Sequence, residues 1–202
     1  RYSYINQSII AQWNLARFAE TLIPLISDDE KKGIKKASDI INNFQIIYKE
    51  KWLEMMRCKI GLSNKNNNDE KLIISLLEWM KLNKVDFTNT FNYLAGINNI
   101  NIEKYNNYAF KEWINRWHKR LDYNGKLSES SLSLMKKNNP VIIPRNYKVE
   151  EALAEVNKND NIKPLKKLLN VLSNPYSLHK DSLAFQQPPP TNLQEYKTFC
   201  GT

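Results

Sequence analysis

Apolar residues recur every three or four positions along most of this 202-residue chain, and no segment alternates strictly, so the pattern predicts an all-α protein. The first helix is predicted from about Ser8 to Ile26, with Ile9, Trp13, Ala16 and Ile23 along one stripe. A second starts at Ser27, where Ser27-x-x-Glu30 reads as a capping box, and its stripe Ile34, Ala37, Ile41, Phe44, Tyr48, Trp52, Met55 predicts one continuous helix. Gly61 to Asn68 is a polar loop. Helices follow near 69–82 (Leu72, Ile73, Leu76, Leu77, Met80), 87–96, 102–121 and 129–138, with Asp86, Asn101 and Ser128 placed as N-caps. Asn139-Pro140 ends that run, and Val141 to Pro144 reads as a short extended piece. Two more helices are predicted near 147–157 and 162–173, and the Pro-rich remainder from Asn174 to Thr202 as an extended surface segment. Trp52 and Trp113 both continue apolar stripes and are expected to be buried.

Composition narrows the classes without choosing among them. With 42% hydrophobic and 11% aromatic residues the chain has enough apolar side chains for one or two packed domains. No apolar run approaches a membrane span and no charged-then-apolar leader opens the sequence, which points to a soluble intracellular protein. The start at Arg1 rather than Met is what a piece of a longer protein shows. A net charge of +9 suggests acidic partners or nucleic acid, yet only Arg1, Arg17, Arg57, Arg116, Arg120 and Arg145 of the 30 basic residues are arginine. The remainder are lysines scattered among asparagines and isoleucines, a mixture that reads as the codon bias of an AT-rich genome. A nucleic-acid site needs its bases clustered on one face.

The candidate chemistry is sparse. Cys58 and Cys200 are too few for a disulfide scaffold and lack metal-ligand spacing, and His118 and His179 are isolated, so no metal site can be assembled from sequence neighbours. Lys111-Glu112-Trp113-x-x-Arg116-Trp117-His118-Lys119-Arg120 interleaves aromatics with bases. It admits two readings: a stacking platform for single-stranded nucleic acid, or two core tryptophans with arginine stems along them and heads in water. The second is favoured, because amphipathic helices with buried tryptophan are much commoner. His118 has no carboxylate or nucleophile at recognisable spacing and reads as an edge residue. Arg145 reads as an anchor for the extended piece through a carboxylate or helix-end carbonyls. Cys58 reads as a small buried hydrophobe. No Gly-rich phosphate loop, strand lysine with helix glutamate, catalytic-loop carboxylate or metal-holding aspartate of the kinase type can be read.

Six separated strings carry a family likeness. Tyr2-Ser3-Tyr4-x-Asn6-Gln7 precedes Trp13-Asn14-Leu15-Ala16-Arg17; Met56-Arg57-Cys58-Lys59-Ile60-Gly61-Leu62, Asp86-Phe87-Thr88-Asn89-Thr90-Phe91 and Asn139-Pro140-Val141-Ile142-Ile143-Pro144-Arg145-Asn146 follow; and the chain closes on Phe199-Cys200-Gly201-Thr202. Their identity and order resemble the C-terminal portion, somewhat under half, of the selenoprotein O family. That family has a protein-kinase-like fold and transfers AMP from ATP to protein hydroxyls.

The resemblance implies that residues 1–60 complete a kinase-like large lobe, that 61–185 form a C-terminal helical region, and that 186–202 are an extended tail. It implies that the ATP and magnesium sites of the whole protein lie upstream of Arg1, so this portion holds no catalytic, cofactor or metal residue and serves structure or regulation. It implies a redox role for Cys200, pairing with a cysteine near the active site. The implied partners are the upstream catalytic region and the whole protein's substrates, in a bacterial cytoplasm; the apolar pattern itself argues against a membrane, and nucleic acid is disfavoured. The rival reading is an independent basic helical module that binds nucleic acid or protein.

Overall fold

The structure, a computed structural model, describes residues 6–97, 102–178, 180 and 182–190. Among them there are helices and connecting segments but no strand, in agreement with the all-α expectation. The helices are α1 (Gln7–Ile26), α2 (Glu30–Asn42), α3 (Phe44–Lys59), α4 (Asp69–Leu82), α5 (Phe87–Leu94), α6 (Tyr108–Arg120), α7 (Glu129–Asn138), α8 (Asn146–Asn159), α9 (Lys163–Leu172) and α10 (Ser182–Gln186), with a 3-10 turn at Ile102–Tyr105. The chain divides into two compact units, Arg1–Met55 and Met56–Thr202.

In the first unit α1 packs along α2. Gly33 and Ala37, one turn apart, are the two buried residues of α2. They permit close approach: a Cβ on Gly33 would lie 3.0 Å from Ile23 Cγ2 and 3.2 Å from the Ile23 carbonyl oxygen. Polar stitches finish the contact, with Gln12 Nε2 donating to Ile41 O at 3.1 Å and Gln45 Nε2 to Gln12 Oε1 at 2.8 Å.

Four expectations fail in this unit. The single helix over 27–55 is two, because the chain tightens at Asn43, whose amide donates to Ile40 O three residues back. Asparagine competes locally for backbone hydrogen bonds and is a natural place for a helix to stop. The cap is also different: Asp29, not Ser27, accepts from the Lys32 amide, while Ser27 Oγ accepts from the Asp29 amide one step earlier. The predicted stripe on α1 is not a core either. Ile9 and Trp13 are 60% and 56% exposed and α1 has no buried residue. Trp52 is only half-buried.

The second unit holds the aromatic core. Leu72, Ile73, Leu76, Trp79 and Met80 of α4 are buried, and α4 packs on α6, whose Phe110, Trp113 and Trp117 are buried at consecutive turns. Each core indole retains a hydrogen bond, Trp113 Nε1 to Leu72 O at 2.9 Å and Trp117 Nε1 to Ile60 O at 2.8 Å, so the rings are buried without an orphaned donor. Phe91 and Leu94 of α5 and Met135 of α7 extend the core. Asp86 and Ser128 cap α5 and α7 through the Asn89 and Ser131 amides, as the sequence predicts.

The helix expected over 102–121 starts at Tyr108, because Asn107 caps it by accepting from the Phe110 amide. The proposed cap Asn101 lies outside the described residues. Val141 to Pro144 is extended, held by Pro175 O, which accepts from the amides of Val141 (2.7 Å) and Ile142 (3.2 Å). Val141, Ile142 and Val171 then form a small core under Ile97, Leu172 and Phe185. The segment after Asn174 is not wholly extended, since α10 interrupts it.

Candidate functional site

Three of the strings singled out in the sequence meet in the second unit. Lys59, at the end of α3, holds its ammonium over the rings of Phe87 and Phe91, 5.6 and 5.0 Å from their centroids. It donates to Asn138 O at 3.0 Å and to Asn139 Oδ1 at 3.1 Å, and Asn139 Nδ2 returns a bond to Lys59 O at 2.8 Å. Burial lowers the Lys59 pKa from 10.5 to about 8, because the rings and amides stabilise the ammonium less than water does.

The next residues bring in the third string. Asn92 Nδ2 donates to Pro140 O at 3.1 Å. Arg145, at the head of α8, places Nη1 2.7 Å from Asp86 Oδ2 and Nη2 2.9 Å from Asp86 Oδ1. Arg145 is therefore the anchor expected of it, and Asp86 is its carboxylate. Within the Met56–Leu62 string, Gly61 turns the backbone with φ +77 beside Met135 and Ser131.

A second ion pair closes the loop before α4. Asp69 is buried, and Arg120 meets its carboxylate through Nε at 2.7 Å and Nη2 at 3.3 Å. Arg120 Nη2 also donates to Asn64 O and Oδ1 at 2.8 and 2.9 Å, and the Asn66 amide donates to Asp69 Oδ2 at 2.8 Å. Arg120 is thus not a solvated head lying along tryptophan; it clamps the 61–68 loop. Arg116 remains exposed and reaches Ser75 Oγ at 3.4 Å.

The aromatic helix α6 resolves in favour of the core reading. Trp113 and Trp117 are buried and stacked on each other at 5.7 Å, so neither presents a face to a base. His118 is half-buried and stacks on Tyr123 at 3.8 Å with near-parallel rings; desolvation lowers its pKa. It flanks an open groove of about 950 Å³ whose walls include Tyr93, Glu103, Tyr105, Lys111 and Asn115. Cys58 is half-buried rather than fully buried, because two residues along the helix from the inward-facing Met56 it falls on a different face. His179 and Cys200 lie outside the described residues.

Chemically, the meeting place of the three strings joins elements together. Its carboxylate, guanidinium and ammonium are each engaged by protein groups. Among the described residues no three His, Cys, Asp or Glu side chains gather to hold a metal ion. No helix among them is long and apolar enough to cross a membrane. Sequence alone gave a role to Arg145 but none to Lys59, Asp69 or Asn139, whose long-range hydrogen bonds span 51 to 80 residues.

The family model described as protein adenylyltransferase SelO matches residues 1–173. The chain is 45% identical to the protein nucleotidyltransferase YdiU of Pelagibacter ubique and 43% identical to that of Nitrosococcus oceani, in each case over all 202 residues. Similarity to the YdiU of Clostridium beijerinckii is 42% over the same length. These alignments take in 42%, 41% and 41% of the respective relatives, so the chain spans about two-fifths of their length.

Proposed function

Because the chain belongs to the SelO protein adenylyltransferase family, we propose that it is the C-terminal, non-catalytic portion of an enzyme that transfers AMP from ATP to Ser, Thr or Tyr hydroxyls of other proteins. In this reading the segment 1–60 completes the larger lobe of a kinase-like fold and the helices after it brace that lobe. ATP and magnesium are held by residues outside this chain. The protein acts in the cytoplasm, and Cys200 serves as a redox thiol for a cysteine that is also outside.

The observation that carries the reading is the apolar surface of the first unit. Ile9, Trp13, Phe18, Ile40 and Ile46 all stand at least half exposed on α1–α3, with Ile40 at 72%. So many large apolar side chains left in water favour packing against other protein. The charged pairs of the second unit favour the same role, since Asp86, Arg145, Asp69 and Arg120 are all committed to holding helices together.

The test compares two proteins. A version extended to the relatives' full length should transfer labelled AMP from Mg-ATP to protein, and oxidation should cross-link it in a manner lost in Cys200→Ser. The 202-residue chain should show no micromolar heat of Mg-ATP binding. Transfer by the short chain, or none by the long one, overturns the proposal, and salt-dependent affinity for DNA or RNA would favour the basic-module reading instead.

A further inference from the structure

Five buried side-chain atoms in the second unit have no hydrogen-bonding partner among the protein groups: Asn89 Oδ1, Asn92 Oδ1, Arg145 Nε, and both Nε2 and Oε1 of Gln186. All four residues are more than nine-tenths buried. Native proteins leave very few such groups, so each requires a partner.

The four residues are linked. Arg145 holds Asp86, Asp86 Oδ1 accepts from the Asn89 amide, and Asn89 Nδ2 donates to Gln186 O at 3.0 Å. Asn92, one turn further along α5, is tied through Pro140 O to the segment that carries Arg145. The orphaned atoms are thus distributed along one seam between α5, the 140–145 segment and α10.

Their chemistry selects the ligand. Three are acceptors and two are donors. A cation meets the Arg145 guanidinium, and an anion meets three carbonyl oxygens, so neither is matched to this set. Water both donates and accepts, and buried waters commonly make about three bonds to groups of this kind. We propose that this seam is a binding site for ordered internal water, which joins Gln186 of α10 to α5 and Arg145. The joint acts together with the Tyr147 hydroxyl, which donates to Gln187 O at 2.8 Å, to fix the point from which the Pro188–Pro190 stretch departs.

A crystal structure of the full-length protein at a resolution that places waters tests this directly. The expected result is at least one ordered water within about 3.2 Å of a Gln186 amide atom and of Asn89 Oδ1 or Arg145 Nε. A dry seam, or a Gln186 amide turned to pair directly with its neighbours, overturns it. Hydrogen exchange of the full-length protein gives an independent readout. Gln186→Met keeps the side chain's length and removes both polar atoms, and should speed exchange across 182–190 by about tenfold with the melting midpoint of the rest retained, because a lost water-bridged anchor lets α10 open locally. Unchanged exchange overturns the proposal; if the variant does not fold, the crystallographic result decides alone.

Discussion

One carboxylate, Asp86, starts one helix and fixes the head of another. Its Oδ1 accepts from the Asn89 amide at 2.8 Å as the cap of α5, and the same atom accepts from Arg145 Nη2 at 2.9 Å where α8 begins, 59 residues on. The bond between Arg145 Nη1 and Oδ2 at 2.7 Å makes the pair two-pronged.

Asp86→Ala should therefore be among the most damaging single changes in the chain, costing about 3–5 kcal/mol in urea melts, because it strands a buried guanidinium as well as removing a cap. Arg145→Met on the same background should restore part of that loss by removing the stranded charge. A loss below about 1 kcal/mol for Asp86→Ala would contradict the pairing.

Trp113 and Trp52 should separate clearly. Trp113→Ala removes a fully buried ring and a hydrogen bond to Leu72 O, and should cost about 3–5 kcal/mol. Trp52→Ala removes a half-buried ring and should cost about 1–2 kcal/mol in the same assay. Equal losses would show that Trp52 is packed more deeply than its place on α3 indicates.

Lys59 carries a pH signature. Its pKa in the folded protein, about 8, lies below the unfolded value of 10.5, so the unfolded chain binds more protons between those limits. Stability should rise with pH across that window, and protonation below about 8 works against the fold. The urea midpoint followed from pH 7 to 10 should climb in the native chain and climb less in Lys59→Met. Parallel profiles would show that the ammonium is solvated.

Gly61→Ala should cost about 1–3 kcal/mol, the sum of left-handed strain and crowding. The new Cβ would lie 3.1 Å from Met135 Sδ and 3.2 Å from Ser131 Cβ, with φ at +77. Trimming the neighbour in Met135→Leu/Gly61→Ala should recover only the crowding share, which a double-mutant cycle on melting midpoints measures.

Much of the helical layout was legible because helix signals are local. The 129–138 helix, the caps Asp86 and Ser128, and the stop at Asn139-Pro140 depend on residues within four positions of each other, and all agree with the structure. The breaks at Asn43 and before Tyr108 escaped the apolar period, since a one-turn interruption leaves the stripe almost in phase. Asn107 was the available signal for the second, a capping residue in front of an aromatic stripe.

By itself the sequence determined the all-α class, the family, and the identity of the strings that meet around Lys59 and Asp86. Only the tertiary structure decided what those strings do to one another. It set Arg120 on Asp69 rather than in water, Lys59 over two phenylalanine rings, Trp113 inside and Trp13 outside, although both tryptophans sit on comparable helical stripes. The reason is physical: periodicity reports which face of a helix is apolar, whereas burial and ion pairing depend on which other face arrives there, and that is set by contacts between residues far apart in the chain.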